Sequence, residues 1–336
     1  ACLQNLWLMS QHPISAIHLR QASGGQAMGF ESAVYSDVDE QAAALAGWNQ
    51  SYLQLSGGGF RGAIQRVDLG PVRLFMEGLG STVYQNGQLQ SGVLALGVPL
   101  RCNGNSVFCG APSDRNALHV FSGHSGFEFR TGSDHVMMGL ELDPVLANTL
   151  YPWGQGALAH DAAGLRTTEP QTLEGLRQVM LTLFETARTA PAMFSLPALR
   201  AGMVDTLVEK VTALNLAACA TDTPHDVHWQ LVQNTRSLVQ GQLQQALTVG
   251  ELCLRLGVSR RTLQNAFQRI LGISPLAYLR AIRLGAVRQA LKTASSVTEA
   301  ATDMGFWHFG HFAKDYQAMF GELPSQTHKR YSPPLQ

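Results

Sequence analysis

The chain has 336 residues, of which 45% are hydrophobic and 14% are charged, and its formal net charge is zero. This length suffices for about two domains of ~150 residues, each with a sizeable core. No stretch reaches the roughly 18 uninterrupted apolar residues that span a bilayer, and the first residues lack a basic segment followed by an apolar run. We therefore expect a cytoplasmic protein with no membrane partner. The five cysteines are scattered without a C-x-x-C pair, which argues against a disulfide framework and a zinc cluster.

Charge is unevenly distributed along the chain. Residues 225–336 contain 12 Lys and Arg against 6 Asp and Glu, whereas residues 1–224 contain the other 12 Lys and Arg against 18 Asp and Glu. A basic C-terminal third joined to an acidic remainder indicates that one end binds a polyanion. The alternative is that this uneven distribution of charge arose by chance.

The first elements in chain order are strands, predicted from about residue 60 to residue 143. Apolar residues at 136, 138, 140 and 142 alternate with Met137, Gly139 and Glu141, and residues 127–130 alternate in the same way. Turn-rich pieces such as SGGG and RCNGNS separate these runs. Many short strands at this spacing predict a barrel or a sandwich.

After Pro152 the apolar spacing becomes that of helices. Leu173, Leu176, Met180 and Leu183 form one stripe, and a longer stripe runs from Leu196 to Leu214. We predict helices at about 170–217 that pack against their own domain, with a dimerising helix pair as the less favoured alternative. The polar segment ATDTPHD at 220–226 contains a proline and predicts a linker.

The segment from about 248 to 271 predicts two helices joined by a tight turn. Thr248 and Glu251 have the spacing of a capping box, Gly257 suits the turn, and Ser259 suits the cap of the second helix. On that helix Leu263, Ala266, Phe267 and Ile270 form a buried face, and the opposite face carries Arg261, Gln264, Asn265 and Gln268. This pattern is typical of a helix-turn-helix unit whose second helix enters the DNA major groove.

The side chains of that polar face suit base recognition. Arginine can donate two hydrogen bonds to guanine, and glutamine or asparagine can pair with adenine. Arg260 and Arg261 stand at a helix start, where a cation is unfavourable by roughly 0.3–1 kcal/mol. Contact with bases and phosphates accounts for their position, while a merely solvated polar face is the alternative.

A second unit of the same kind is predicted at about 296–321. Ser296 and Glu299 form a capping box, Gly305 suits the turn, and Phe312, Tyr316 and Phe320 form a buried face. An offset of 49 residues places Gly310 over Arg261, Lys314 over Asn265 and Gln317 over Gln268. The second helix is poorer in base-reading groups, so we expect it to contribute phosphate contacts and shape fit. His308 and His311 flank this face.

Between the two units, Ser274 and Pro275 predict a helix that continues to about Lys292. Eighteen residues at ~1.5 Å each make a rod of ~27 Å. A rod of this length could hold two recognition helices in successive major-groove segments.

The run VSRRTLQNAFQRILGISPLAYLRAIRLGAVRQAL, followed by VTEAATDMGF and HFAKDYQAMFGELPSQ, resembles the DNA-binding domain of AraC/XylS-family transcription regulators. The likeness covers about 100 residues and is nearest to regulators of ethanolamine operons. It implies base-reading positions at Arg260, Arg261, Gln264 and Asn265 on the first helix, and at Phe309, Gly310, His311 and Lys314 on the second. Phe309 and Gly310 stand where the family commonly has polar residues, and Leu323 replaces the usual small polar cap.

The resemblance also implies a fold of the α+β class. Residues 1–219 would form an effector-binding and dimerising domain, a cupin-like β-barrel followed by helices. Residues 227–336 would form an all-α DNA-binding domain with two helix-turn-helix units joined by a linker helix. His119, His124 and His135 lack the spacing of a cupin metal site, so we expect no metal and no cofactor.

A barrel of this kind can enclose a small ligand. The candidate effector-binding residues are Phe75, Glu77, Phe121, Phe127 and Phe129, each of which could equally be plain core. A buried carboxylate such as Glu77 could receive an ammonium group.

The sequence thus favours a ligand-responsive, sequence-specific transcription regulator, an activator of a catabolic operon by family likeness. Its expected partners are double-stranded DNA, a small-molecule effector, RNA polymerase and a second copy of the chain. One alternative is a cupin-type enzyme with an appended nucleic-acid-binding module. The chain has no G-x-S-x-G, H-E-x-x-H, P-loop or Rossmann glycine pattern, and we expect no catalytic residues. A further alternative is an architectural DNA-binding protein without a ligand.

Overall fold

A computed structural model describes residues 29–151, 163–216, 226–242 and 247–331. The predicted linker therefore lies outside the described residues except for Asp226, as do Cys2 and Cys219. The described chain combines sheets and helices: the strands, four α-helices and a short 3-10 helix precede residue 217, and all described elements after residue 226 are helices. We call residues 29–216 the N-terminal region and residues 226–331 the C-terminal region.

A seven-stranded antiparallel sheet is the larger of two sheets in the N-terminal region. Its strands lie in the order β1, β3, β4, β11, β6, β9, β12. β4 and β6 flank β11, which pairs Met138 with Met76 on one side and with Val98 on the other. The strand bounds are β1 Phe30–Tyr35, β3 Gly62–Asp68, β4 Val72–Leu79, β6 Leu94–Cys102, β9 Leu118–Ser122, β11 His135–Leu142 and β12 Gly164–Arg166.

A five-stranded sheet covers one face of the larger sheet. Its order is β2, β5, β10, β7, β8, and its neighbouring strands are antiparallel. Its strand bounds are β2 Ser51–Gln54, β5 Val83–Gly87, β7 Ser106–Phe108, β8 Ala111–Ser113 and β10 Phe127–Arg130.

The two sheets form an open sandwich, which corrects the expectation of a closed barrel. Each sheet has its own hydrogen-bonded strand order, and β1, β12, β2 and β8 stand at the edges of these orders. The strands also extend beyond the predicted 60–143, because β1, β2 and β12 lie outside that range. Sequence alternation marks which residues share a face of a strand, but closure depends on pairing between distant strands.

Both faces of the central strand β11 are buried. Val136, Met138 and Leu140 face a core shared with the helices, whereas Met137 faces an aromatic core between the sheets. The alternation along this strand therefore separates two cores, and it does not separate core from solvent.

All helices of the N-terminal region except the first cover the larger sheet. The predicted stripe Leu173, Leu176, Met180 and Leu183 is buried in the same core as β4, β6 and β11. The bounds of these helices are α1 Val38–Ala44, α2 Pro144–Leu150, α3 Pro170–Thr189, a short 3-10 helix Pro191–Ser195, and α4 Pro197–Ala213.

None of the described helices has by itself the length and hydropathy of a membrane span. The pair Arg260–Ile270 and Pro275–Ala290 meets that test when the two helices are taken together, but they are bent by 63°.

The C-terminal region consists of helices, several of which begin at the predicted caps. Ser296 caps its helix as predicted, but the Glu299 carboxylate accepts from the Ser295 amide, so the second capping box does not form in its predicted reciprocal form. Thr248 and Glu251 form the reciprocal capping box, and Gly257 ends the helix with a φ of 65°, a left-handed conformation that suits glycine. The connecting helix ends at Ala290, two residues before the predicted Lys292. The bounds are α5 Val227–Gln240, α6 Val249–Leu256, α7 Arg260–Ile270, α8 Pro275–Ala290, α9 Val297–Asp303, α10 Phe309–Phe320 and α11 Pro324–Tyr331.

The C-terminal region packs on the outer face of the five-stranded sheet. Leu55, Tyr84 and Val107 share a core with residues of α5, α7 and α8. In that interface Glu128 on β10 accepts a 2.8 Å hydrogen bond from the Trp229 indole and pairs with Arg236. The sandwich therefore sits directly against the helices that hold the helix-turn-helix units.

Candidate DNA-binding surface

The two helix-turn-helix units repeat in the structure. Their second helices, α7 and α10, begin at Arg260 and Phe309, which are 49 positions apart and match the offset seen in the sequence. Ser259 caps α7 by accepting a 3.1 Å hydrogen bond from the Thr262 amide. The predicted inner faces are buried, and they comprise Leu263, Ala266, Phe267 and Ile270 on α7 and Phe312, Tyr316 and Phe320 on α10.

The polar stripe of α7 faces outward. Arg260, Arg261, Gln264, Asn265 and Gln268 are all exposed. In the part of the chain that the structure describes, the first four make no side-chain hydrogen bond or ion pair, and Gln268 donates only a 3.4 Å bond to the Gly272 carbonyl. Long polar side chains without partners in the fold can reach base edges and phosphates.

The outer face of α10 has a different chemistry. The predicted residues His308, Phe309, Gly310, His311, Lys314 and Gln317 are exposed. Phe309 is 44% exposed, and Trp307, which the sequence analysis did not single out, is 69% exposed just before the helix. This surface combines one lysine with aromatic and amide groups, so it offers fewer strong hydrogen-bond donors than α7.

The helix α8 fixes the two units relative to each other. It makes an angle of 63° with α7. At its other end Arg288 pairs with Glu322, which follows α10, at 3.0 Å, and midway Arg280 pairs with Asp315 on α10 at 3.5 Å. Leu284, Val287 and Leu291 share a core with the second unit. The spacing of the two recognition helices is thus set by a packed rod.

Ion pairing reduces the positive charge that the C-terminal region can offer to a polyanion. Arg236, Arg288 and Lys292 pair with acids of the N-terminal region, and Arg269 pairs with Asp226 at 3.1 Å. Part of the excess of basic residues in the C-terminal region is therefore used in ion pairs with acids of the N-terminal region. Among the described residues, Arg260 and Arg261 on α7 and Lys314 on α10 make no ion pair and stay free for an outside partner.

The predicted effector-binding phenylalanines pack with one another. Phe121 contacts Phe127 edge-to-face at 4.9 Å between ring centroids, and Phe75 contacts Trp48 at 5.1 Å. Phe129 packs in the same manner against Phe108 at 5.6 Å. These rings fill the space between the sheets.

Glu77, the fifth predicted effector-binding residue, is buried, and its carboxylate already has hydrogen-bond donors. Its carboxylate accepts hydrogen bonds from Gln41 at 2.8 Å, from Tyr52 at 2.9 Å and from Gln85 at 3.2 Å. Burial raises the pKa of Glu77, and these neutral donors only partly oppose that rise. The predicted ammonium partner would have to compete with three existing donors.

A cavity of about 230 Å³ opens next to Phe75 and is also lined by Arg66, Arg73 and Glu141. Glu141 accepts a 2.7 Å hydrogen bond from the Trp48 indole and pairs with Arg73 at 2.6 Å. Burial raises the pKa of Glu141, with Arg73 acting in the opposite direction. Sequence reasoning missed this carboxylate, since its position in the alternation of β11 suggested a solvent-facing side chain.

Two histidines are buried in the aromatic core. His119 bonds through its Nε2 to the Ser113 hydroxyl at 2.9 Å, and neither ring nitrogen of His135 has a hydrogen-bond partner in the described chain. Burial lowers the pKa of His119 to about 3 and that of His135 to about 4. Among the described residues no three His, Cys, Asp or Glu side chains lie together as a metal site requires.

Comparisons with known proteins match the C-terminal region to DNA-binding regulators. A family model described as a helix-turn-helix domain matches residues 252–330. The XylDLEGF operon transcriptional activator 3 of Pseudomonas putida is 36% identical over 96 residues, which are 27% of this chain and 29% of that protein. The HTH-type transcriptional regulator GbdR of Pseudomonas aeruginosa is 35% identical over 103 residues, 30% of this chain and 28% of that protein.

Among solved structures, one described as a "probable AraC family transcriptional regulator" from Rhodopseudomonas palustris is 36% identical. The match covers 31% of this chain and 99% of that chain, with a TM-score of 0.29. The chain spans less than a third of the length of the two Pseudomonas relatives. Residues 252–330 therefore match a helix-turn-helix domain, and the C-terminal region is similar to that of AraC/XylS-family transcription regulators.

Proposed function

We propose that this protein is a ligand-responsive, sequence-specific activator of transcription from a catabolic operon. In this proposal residues 227–336 bind double-stranded DNA, and residues 1–219 bind a small-molecule effector and pair with a second copy of the chain. RNA polymerase is the further partner that activation requires, and the site of action is the cytoplasm. Residues 1–219 would have a cupin-like fold in which the two sheets form an open sandwich and do not close into a barrel.

The observation that carries the DNA-binding part is the pair of exposed polar stripes on braced recognition helices. Arg260, Arg261, Gln264 and Asn265 are held outward without partners among the described residues. Lys314 occupies the corresponding outward position on α10, and α8 fixes the distance between the two helices. Preorganised donors on a rigid element bind a groove with little further loss of conformational freedom.

A route for ligand response is supported by the short helix α1. At its start Asp37 accepts a 2.9 Å hydrogen bond from Arg288 of α8, and both side chains are buried. One turn later Gln41 donates to Glu77 inside the sandwich at 2.8 Å. Arg288 in turn pairs with Glu322 beside α10. A shift of α1 on effector binding would therefore reach the second helix-turn-helix unit through a few direct contacts.

Two buried acidic side chains of the sandwich indicate which chemical class of effector to expect. Glu77 and Glu141 are both buried carboxylates, and the cavity next to Phe75 reaches Glu141. A small amine would pair with Glu141 there by displacing Arg73, in keeping with the likeness to regulators of ethanolamine operons. We propose a small organic amine as the first effector class to test.

The test is selection of binding sites from random DNA duplexes by the full chain, with and without candidate amines such as ethanolamine. We expect enrichment of one sequence that contains two elements about one helical turn apart, and a change in its affinity when the effector is present. Failure to enrich any shared sequence would remove the DNA-binding proposal. An enriched sequence whose affinity ignores every amine tested would remove the amine proposal alone.

A thermal unfolding series complements the selection. A ligand that binds only the folded protein raises the midpoint with concentration, by about 2.7 kcal/mol of stability at 100 times its Kd. A purely architectural DNA-binding protein would show stabilisation by DNA and none by metabolites.

A further inference from the structure

The first residue of the second recognition helix is aromatic where its counterpart in the first unit is a cation. Phe309 begins α10 as Arg260 begins α7. Phe309 is 44% exposed, whereas the inward aromatic residues of the same helix are buried. Phe309 is not part of the buried core of the second unit, so nearly half of its surface is free to contact a partner outside the described fold.

The described residues give no structural reason for the glycine that follows Phe309. Gly310 is not among the residues with positive φ, and a Cβ at this position would meet no atom within 4 Å. Glycine within a helix is less favourable than alanine because it loses more backbone freedom on folding. The missing side chain therefore leaves room for something that approaches this face closely.

In the major groove, thymine is the base that offers an apolar side chain an apolar group to contact. Thymine presents a C5 methyl group there, whereas guanine, adenine and cytosine present hydrogen-bonding groups at the positions that distinguish them. A phenyl ring placed against those polar groups would leave them without partners, at a cost in free energy. Against the thymine methyl the same ring buries apolar surface.

We propose that Phe309 is a specificity-determining residue that reads the C5 methyl group of a thymine in the major groove, and that Gly310 allows the close approach this contact needs. The inference rests on the DNA-binding function proposed above. It gives the second helix-turn-helix unit a direct readout that does not depend on hydrogen-bond donors.

The test uses the DNA site that the full chain selects from random duplexes. Each thymine is replaced in turn by deoxyuridine, which lacks only the methyl group, and affinity is measured by fluorescence anisotropy at one fixed salt concentration. At one thymine we expect the wild-type affinity to fall about fourfold, since a buried methyl group is worth roughly 0.8 kcal/mol and 1.4 kcal/mol is tenfold. The same replacement should leave the affinity of Phe309→Ala unchanged.

Trp307→Ala is the matched control, because Trp307 is also exposed but precedes the helix. This variant should keep the deoxyuridine effect. A deoxyuridine effect that survives at every thymine in Phe309→Ala, or that is absent from the wild type, would overturn the inference. A selection that enriches no shared sequence would instead overturn the DNA-binding function itself, so the two failures are distinguishable.

Gly310→Ala tests the close approach by two measurements with opposite expected directions. The thermal midpoint should stay the same or rise, while affinity for the selected site should fall at least tenfold. Unchanged affinity would contradict the role of Gly310. A circular-dichroism melt of each variant shows that the helices remain folded.

Discussion

At the start of α7, Arg261 points outward without a partner among the described residues, and the helix terminus opposes its charge. We predict that Arg261→Ala lowers the affinity for the selected site by about 1–3 kcal/mol and relaxes the preference at one base pair. Lys314→Ala should weaken all sequences evenly and reduce the slope of log K against log salt by about 0.9. Titrations at several salt concentrations and on single-base variants of the site measure both effects. Equal loss of base preference in the two variants would refute these separate roles.

The buried histidines make stability sensitive to acid. Burial lowers the pKa of His135 to about 4 in the folded protein, whereas an unfolded histidine titrates near ~6.5. Below ~6.5 the unfolded chain binds more protons than the folded chain, so stability falls as pH falls. At pH 5 we predict that His135 alone lowers the free energy of unfolding by about 2 kcal/mol relative to pH 7.

Urea unfolding of the wild type and of His135→Phe at the two pH values checks this prediction. The variant should lose about 2 kcal/mol less than the wild type on acidification, because phenylalanine does not bind a proton. His311→Phe serves as the control, since His311 is exposed and solvated in both states. If His135→Phe shows the same pH dependence as the wild type, His135 is protonated or solvated in the folded protein.

Among the elements, α1 connects the sandwich to the C-terminal region through one buried carboxylate. Asp37 accepts from Arg288 at 2.9 Å and from Lys292 at 3.0 Å. Burial acts to raise the pKa of Asp37, but these two cations outweigh it and lower the pKa. The pairing therefore stabilises the fold above the ordinary carboxyl pKa and is lost as pH falls through the lowered value.

We predict that Asp37→Asn lowers the free energy of unfolding by about 2 kcal/mol at pH 7. The substitution keeps an oxygen to cap α1 but removes the charge opposite Arg288, which then relies on Glu322 alone. Asp39→Asn is the control, because Asp39 contacts Lys292 at 3.3 Å in a more exposed position and should cost less than ~1 kcal/mol. Similar urea midpoints for the two variants would show that the buried pair contributes little.

The elements also show what could be predicted from the sequence. The buried faces of α7 and α10 follow from apolar spacing, and the start of α7 follows from its Ser259 cap, because these are properties of neighbouring residues. The choice between a sandwich and a barrel could not be predicted in this way, because the pairing of β11 with β4 and β6 joins residues far apart in sequence. Glu141 was missed because alternation along β11 suggested a solvent-facing side chain, whereas its partner Trp48 lies 93 residues away in the sequence.

At the scale of the whole molecule, α8 would decide how α7 and α10 meet one duplex in the proposed complex with DNA. Its 16 residues at ~1.5 Å each make a rod of roughly 24 Å, slightly shorter than the sequence suggested. The sandwich braces this rod, because Leu53 of β2 packs near Gly285 and Asp37 holds Arg288. Because both ends of this rod are packed, α7 and α10 would contact DNA at only one separation in the proposed complex.

Base pairs inserted between the two elements of the selected site should therefore abolish joint binding at any insertion length. We predict that insertions of 5 and of 10 base pairs both reduce the affinity to that of a site with one element scrambled, measured by anisotropy with the full chain. A flexible connection would give a different result, because 10 base pairs restore the helical face and need only a longer reach. Recovery of affinity at 10 but not at 5 base pairs would show that α8 and its contacts yield when DNA is bound.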